Sequence, residues 1–72
     1  MEYTIIICEA EEGGYWTKVP VLPGCGSQGE TLDEAMANTK EAIESHIIAL
    51  REDGQEVPIE QASMYSRIKV AI

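Results

Sequence analysis

The sequence predicts an α+β fold of order β-β-β-α-β, an antiparallel three-stranded meander with one packed helix and a C-terminal strand. Three observations carry this. Strand-like runs occupy residues 2–9, 15–21 and 64–72, a helical stripe follows a capping box at Thr31, and glycine and proline punctuate the joints between them. With 72 residues and no internal repeat, the chain is expected to form a single domain over residues 1–72.

Residues 2–9 are rich in β-branched side chains and too short for an independent helix, which makes them a strand. Its apolar residues fall on both faces, a pattern of central or doubly covered strands. Glu11-Glu12-Gly13-Gly14 supplies a hairpin reversal. Residues 15–21 then alternate Tyr15, Thr17, Val19 and Val21 against Trp16, Lys18 and Pro20, and Pro20 places that end at an edge or a bulge. Leu22-Pro23-Gly24-Cys25 reads as a type II turn, with Pro23 presetting φ and Gly24 accepting the positive φ at the third position. A short third strand over residues 26–29 has little strand propensity of its own and depends on its neighbours.

Thr31 and Glu34 form the capping box, and Asp33 and Glu34 favour the positive end of the helix dipole. Leu32, Met36, Thr39, Ile43, His46 and Leu50 recur at helical spacing, widened by Ala35, Ala42 and Ile47. That face is expected to pack on the sheet until Gly54 ends the helix after Asp53. Beyond a linker containing Pro58, residues 64–72 alternate Ser66, Ile68, Val70 and Ile72 against Tyr65, Arg67 and Lys69, which predicts the fourth strand.

Thirteen acidic against five basic side chains give a net charge of −8, and 44% of residues are apolar. This is globular composition with a strongly anionic surface. Residues 1–36 carry −6 and residues 37–72 carry −2, with Arg67 and Lys69 the only charges after Glu60. Five dispersed basic residues make no phosphate-tracking stripe, so direct nucleic-acid binding is not expected. The longest apolar run near the start is Ile5-Ile6-Ile7-Cys8, too short for a membrane span or signal core, and Glu2 stands where a basic region would precede one. A cytoplasmic protein is expected. In that compartment Cys8 and Cys25 remain free thiols, Cys8 largely buried in the first strand and Cys25 at the turn.

The candidate chemistries fail on spacing. A metal-dependent nuclease needs clustered carboxylates holding two metals, but the helical acids point off the buried stripe. No CxxC spacing supports zinc. His46 sits on the apolar stripe as a packed imidazole, and no Cys, His and orienting group fall together. The glycine pairs lack the context of a phosphate loop. No enzymatic role, cofactor or metal is assigned. An acidic domain is suited instead to a basic partner, whose approach its field accelerates. The candidate surface is Glu9, Glu11 and Glu12 with Tyr15 and Trp16, the two rings being either anchors or ordinary sheet residues. So short a chain also favours self-association. Ile48, about 160° round the helix from Leu32, and Tyr65, Arg67, Ile68, Lys69, Val70 and Ile72 of the last strand are the candidate oligomer interface.

Several stretches resemble one family. Tyr3-Thr4-Ile5-Ile6-Ile7, Glu12-Gly13-Gly14-Tyr15, Val19-Pro20-x-Leu22-Pro23-Gly24-Cys25-x-Ser27-Gln28-Gly29-Glu30-Thr31-Leu32-x-Glu34-Ala35, Asn38-x-Lys40-Glu41-Ala42-Ile43, and Glu52-Asp53-Gly54 with Pro58 look like the HicB-like family over residues 3–58. HicB proteins are the antitoxin halves of bacterial and archaeal toxin–antitoxin pairs. Their HicA partners are small basic messenger-RNA-cleaving toxins with a double-stranded-RNA-binding-like fold and a catalytic histidine. The resemblance implies a partial ribonuclease H-like fold without a nuclease site, a HicA-like toxin as partner, and a homo-oligomer, dimer or tetramer. Gly26 departs from the β-former often found there and weakens strand three, and Val21 replaces a frequent Asp. Many HicB antitoxins continue into a DNA-binding segment, whereas this sequence stops at Ile72, so autoregulation by this polypeptide is not expected. The two functional expectations are a toxin-neutralising module and an orphan oligomer, structural or ligand-binding, without a toxin.

Overall fold

The computed structural model describes residues 1–61, 64 and 66–72. Three strands, β1 (Ile6–Glu9), β2 (Tyr15–Lys18) and β3 (Gln28–Gly29), precede one helix, α1 (Leu32–Glu52). The strands form an antiparallel sheet of order β1-β2-β3, with Ile6 opposite Lys18, Cys8 opposite Trp16, and Tyr15 opposite Gly29. This is the expected meander and packed helix.

The turns follow the chemistry of their residues. Gly13 and Gly14 take φ of 101° and 77°, and Ala10 N–H donates to the Gly14 carbonyl at 3.0 Å to close the first hairpin. At the second, Gly24 has φ 81° and Cys25 N–H donates to the Leu22 carbonyl at 3.0 Å, as a type II turn requires. Thr31 Oγ1 accepts from Glu34 N–H at 3.1 Å, while the Glu34 carboxylate reaches back to Glu30 N–H at 3.0 Å. At the far end Gly54 N–H donates to the Arg51 carbonyl and Gln55 N–H to that of Leu50, the paired bonds of a Schellman motif.

The elements are shorter than their patterns. β1 starts at Ile6 because its partner has turned away by then: in the register of Ile6 with Lys18, Thr4 would face Pro20, which lies in the turn. Thr4 instead gives its N–H and hydroxyl to the two oxygens of Glu60, each at 2.8 Å, and Tyr3 donates its hydroxyl to the Pro58 carbonyl at 2.6 Å. β1 is an edge strand rather than a central one, and Ile7, opposite the buried Thr17 and on the same face, is exposed because the helix packs over β2 and β3 and not over β1. β3 is two residues long. A Cβ on Gly26 would stand only 3.3 Å from the Lys18 Cα and closer still to the Thr17 carbonyl, so the glycine permits the tight crossing there.

The expected fourth strand is corrected. Among the described residues, 64 and 66–72 belong to no strand and make no backbone hydrogen bond to the rest of the chain. Alternation assigns side chains to two faces, but a strand exists only against a partner. Tyr65 lies outside the described residues.

The core is small. Val19, Leu22 and Cys25 are buried together, with Tyr3, Ile5, Ala42, Ile43 and Leu50 packed against them. The expected helix face turns inward, with Ala35 and Thr39 buried and Ala42, Ile43 and Leu50 packed on the core, but at its start the large Leu32 and Met36 are exposed. Gly29 explains this, since a Cβ there would come within 2.5 Å of the Ala35 nitrogen. Backbone meets backbone at that point, and only small residues fit.

One polar chain crosses this contact. Ser27 N–H donates to Thr17 Oγ1 at 3.0 Å, the buried Thr17 and Thr39 hydroxyls bond each other, and Thr39 donates to the Ala35 carbonyl at 2.6 Å. With the Thr39 proton on Ala35, Thr17 supplies the proton between the two oxygens, and every buried group is satisfied. Thr39→Val keeps the shape but removes the Thr17–Thr39 bond, leaving the Thr17 hydroxyl only Ser27, whose N–H it accepts at 3.0 Å and whose carbonyl it reaches at a long 3.3 Å. The expected loss is about 1 kcal/mol in urea unfolding, and Thr17→Val/Thr39→Val should be less stable than the single variant because the Ser27 N–H then loses its acceptor as well.

Candidate protein-binding site

The first hairpin, the end of β3 and the start of α1 converge at one end of the sheet. Between them lies an open depression of about 900 Å³ bordered by Glu9, Glu11, Glu12, Tyr15, Trp16, Gln28, Glu30, Glu34 and Asn38, among others. The five surface residues singled out from sequence all border it. Glu30 and Glu34 from the helix start bring the total to five glutamates, and no basic side chain lines the depression. The local field is therefore concentrated beyond what the net charge of −8 alone conveys.

Secondary structure places each group. Glu9 ends β1, and Glu11 and Glu12 stand exposed on the glycine-permitted reversal. Tyr15 and Trp16 are consecutive on β2 and so project to opposite faces. Tyr15 shares the face of the buried Thr17 and is half-buried, while Trp16 looks away from the helix and is 41% exposed. Of the two rings, Trp16 has the free area an anchor needs. Across the depression, Asn38 donates its side-chain amide to the Gln28 carbonyl at 2.8 Å, tying β3 to the helix. The capping bonds from Glu34 fix the helix start beside it.

Sequence reading missed Glu30, Glu34, Gln28 and Asn38 as neighbours of the hairpin, although the capping box already located Glu34 at a helix start. The candidate oligomer residues fall elsewhere. Ile48 is 55% exposed on the helix, and Ile68, Val70 and Ile72 are exposed beyond the linker, as are Arg67 and Lys69 beside them.

The thiols reverse their expected burial. Cys25 stands at the turn, as expected, but is buried in the core, and Cys8 is only half-buried because it shares the face of Trp16, which the helix does not cover. Both are free. Burial pushes the Cys25 thiol above its ordinary range, and since the thiolate is the nucleophile, Cys25 is expected to react with Ellman's reagent much more slowly than Cys8 in native protein. Both should react fully and at similar rates in denaturant. Equal native rates would contradict this burial.

Among the described residues, no three His, Cys, Asp or Glu side chains are grouped to hold a metal ion, and no helix is long and apolar enough to cross a membrane. The glutamates surround the depression without converging on one point. Such an arrangement suits a charged macromolecular surface better than an ion.

Comparison with known proteins matches this architecture and sequence to one group. Residues 3–70 match the model of the HicB-like antitoxin of bacterial toxin–antitoxin systems. A UPF0150 protein of Thermoplasma acidophilum is 45% identical over 62 residues, covering 86% of this chain and 90% of that protein. An uncharacterised protein of a Haemophilus phage is 52% identical over 58 residues, 81% of this chain but only 43% of the phage protein. Among solved structures, the N-terminal domain of the Burkholderia pseudomallei antitoxin HicB superposes with a TM-score of 0.77 at 38% identity, covering 88% of this chain and 74% of that one. By sequence over nearly its whole length and by fold, the chain belongs to the HicB-like antitoxin family.

Proposed function

We propose that the protein neutralises a small basic HicA-like RNA-cleaving toxin by docking it at the acidic end of the sheet, inside the cell. The observation that supports this reading most directly is the depression itself, where five glutamates and the exposed Trp16 ring stand together with no basic side chain. The acids steer a basic protein into encounter, and the indole supplies apolar contact that holds it. The toxin's active groups are blocked by occupation, with no bond made or broken by this chain.

The test is to look beside this gene for a short reading frame encoding a small basic protein, and to coexpress the two, followed by purification through a tag on either partner. The pair should co-purify, cells should survive, and purified antitoxin should stop RNA cleavage at about equimolar ratio. Trp16→Ala should raise the dissociation rate about 30-fold or more, the effect of losing a hot-spot ring of ~2 kcal/mol, with little change in association rate. A neighbour that stays toxic and does not co-purify overturns the proposal and leaves the orphan oligomer as the working description.

A further inference from the structure

We propose that Trp16 receives an arginine of the basic partner, its flat guanidinium stacked on the indole and its edge N–H groups turned to the surrounding glutamates. This rests on the docking reading above and names the side chain that the depression selects. Trp16 is 41% exposed on β2, and its cross-strand neighbours are Cys8 of β1 and Gln28 of β3. Both are uncharged and share its face of the sheet. That face is turned away from the helix, whose Thr39 bonds Thr17 on the opposite side.

The chain offers the ring no cation of its own. Lys18, the next residue of β2 on that face, does not border the depression, and neither does any of the other four basic side chains. An indole face carries the negative lobe of the ring quadrupole and attracts positive charge. Here that lobe adjoins the carboxylates of Glu9, Glu11, Glu12, Glu30 and Glu34, so ring and acids draw on the same cation.

Shape decides which cation. A lysine ammonium is a compact, strongly hydrated charge that must give up water to meet the ring. A guanidinium is planar and weakly hydrated, with its donors directed from the edge and its faces free. It can lie on the indole and still present N–H pairs to carboxylates in their own plane. The receiving groups are held ready for it. Strands on both sides fix the backbone of Trp16, while Asn38 bonds the Gln28 carbonyl and Glu34 bonds Glu30 N–H to hold the helix start across the depression.

Trp16 is the single tryptophan of the chain, so its emission reports this site alone and a fluorinated tryptophan replaces this ring alone. The full chain is titrated at low salt with dye-labelled tri-arginine, tri-lysine and tri-citrulline amides, read by anisotropy and, in the parent, by Trp16 emission. The arginine peptide should bind saturably, shift the emission and bind more tightly than the lysine peptide, while the uncharged citrulline peptide should not bind. Chains made with mono-, di-, tri- and tetrafluorotryptophan keep the ring and every charge but drain electron density from the indole face. Across that series the arginine peptide should weaken progressively, by roughly 2- to 5-fold in all. A purely apolar contact would be unchanged or strengthened, since fluorine makes the ring more apolar. Circular dichroism should show the same fold throughout. Absence of saturable arginine binding, equal affinity for arginine and lysine or citrulline peptides, or an affinity indifferent to fluorination each overturns the proposal. No toxin is present in these measurements. Their failure leaves the docking reading standing with Trp16 as a plain apolar anchor, and failure of that reading appears only in the coexpression test.

Discussion

Gly29→Ala is expected to destabilise the protein by about 3 kcal/mol and to lower Tm by roughly 10–20 °C. The added Cβ would stand 2.5 Å from the Ala35 nitrogen and 2.9 Å from its Cα. Both atoms belong to the first turns of a helix held by its capping bonds. No side chain can rotate aside, so β3 must separate from α1, and the Thr17–Thr39 bond across the same contact is pulled apart with it. Against a total stability of ~4–10 kcal/mol for a chain this size, such a loss leaves a substantial unfolded fraction near physiological temperature. Gly13→Ala is the control: nothing lies within 4 Å of its added Cβ, and only the positive φ of 101° is strained. That cost is about 1 kcal/mol. If urea titration ranks Gly13→Ala as the more damaging of the two, the close approach of β3 to the helix is wrong.

Under the proposed docking of a basic toxin, Glu11→Lys with Glu12→Lys is expected to slow association by ~10- to 10³-fold at low salt while leaving the dissociation rate nearly unchanged. The double change moves local charge by four units at the hairpin, where both side chains are exposed, so thermal stability should hardly move. Stopped-flow association at rising ionic strength should bring parent and variant together as the screening length falls below about 8 Å. Glu52→Lys with Glu56→Lys changes net charge equally, but at the far end of the helix. Its effect should be several-fold smaller. Equal slowing by the two pairs would mean that the toxin responds to total charge and not to the depression.

Local pattern was enough for much of this. The hairpin glycines, the Pro23-Gly24 turn, the Thr31 cap and the Gly54 stop each depend on a few neighbouring residues, and each stands where the sequence put it. The alternation of β2 is equally local, with Thr17 and Val19 buried and Trp16 and Lys18 exposed. The hairpin acids and rings were legible as a cluster because one turn brings them together. Glu30 and Glu34 join them only because β3 pairs with β2 and delivers the helix start to the same end of the sheet. That coincidence depends on pairing between distant segments, which no window of neighbouring residues encodes.

Tertiary structure alone decided which residues of the expected helix face are buried at its start, which thiol is buried and what becomes of the last alternating segment. Periodicity ranks a face by its apolar size and so favoured Leu32 and Met36, but the distance between helix and sheet is set by Gly29, and at that distance Ala35 and Thr39 fit while larger residues are turned out. Cys8 sits among isoleucines in sequence yet on an edge in space, whereas Cys25 sits in a turn that folds under the core. Residues 66–72 carry a strand's alternation without a strand's partner in this chain. The physical reason is common to all three: a side chain's preference is a property of the residue, but burial and strand pairing are properties of the surface that arrives against it.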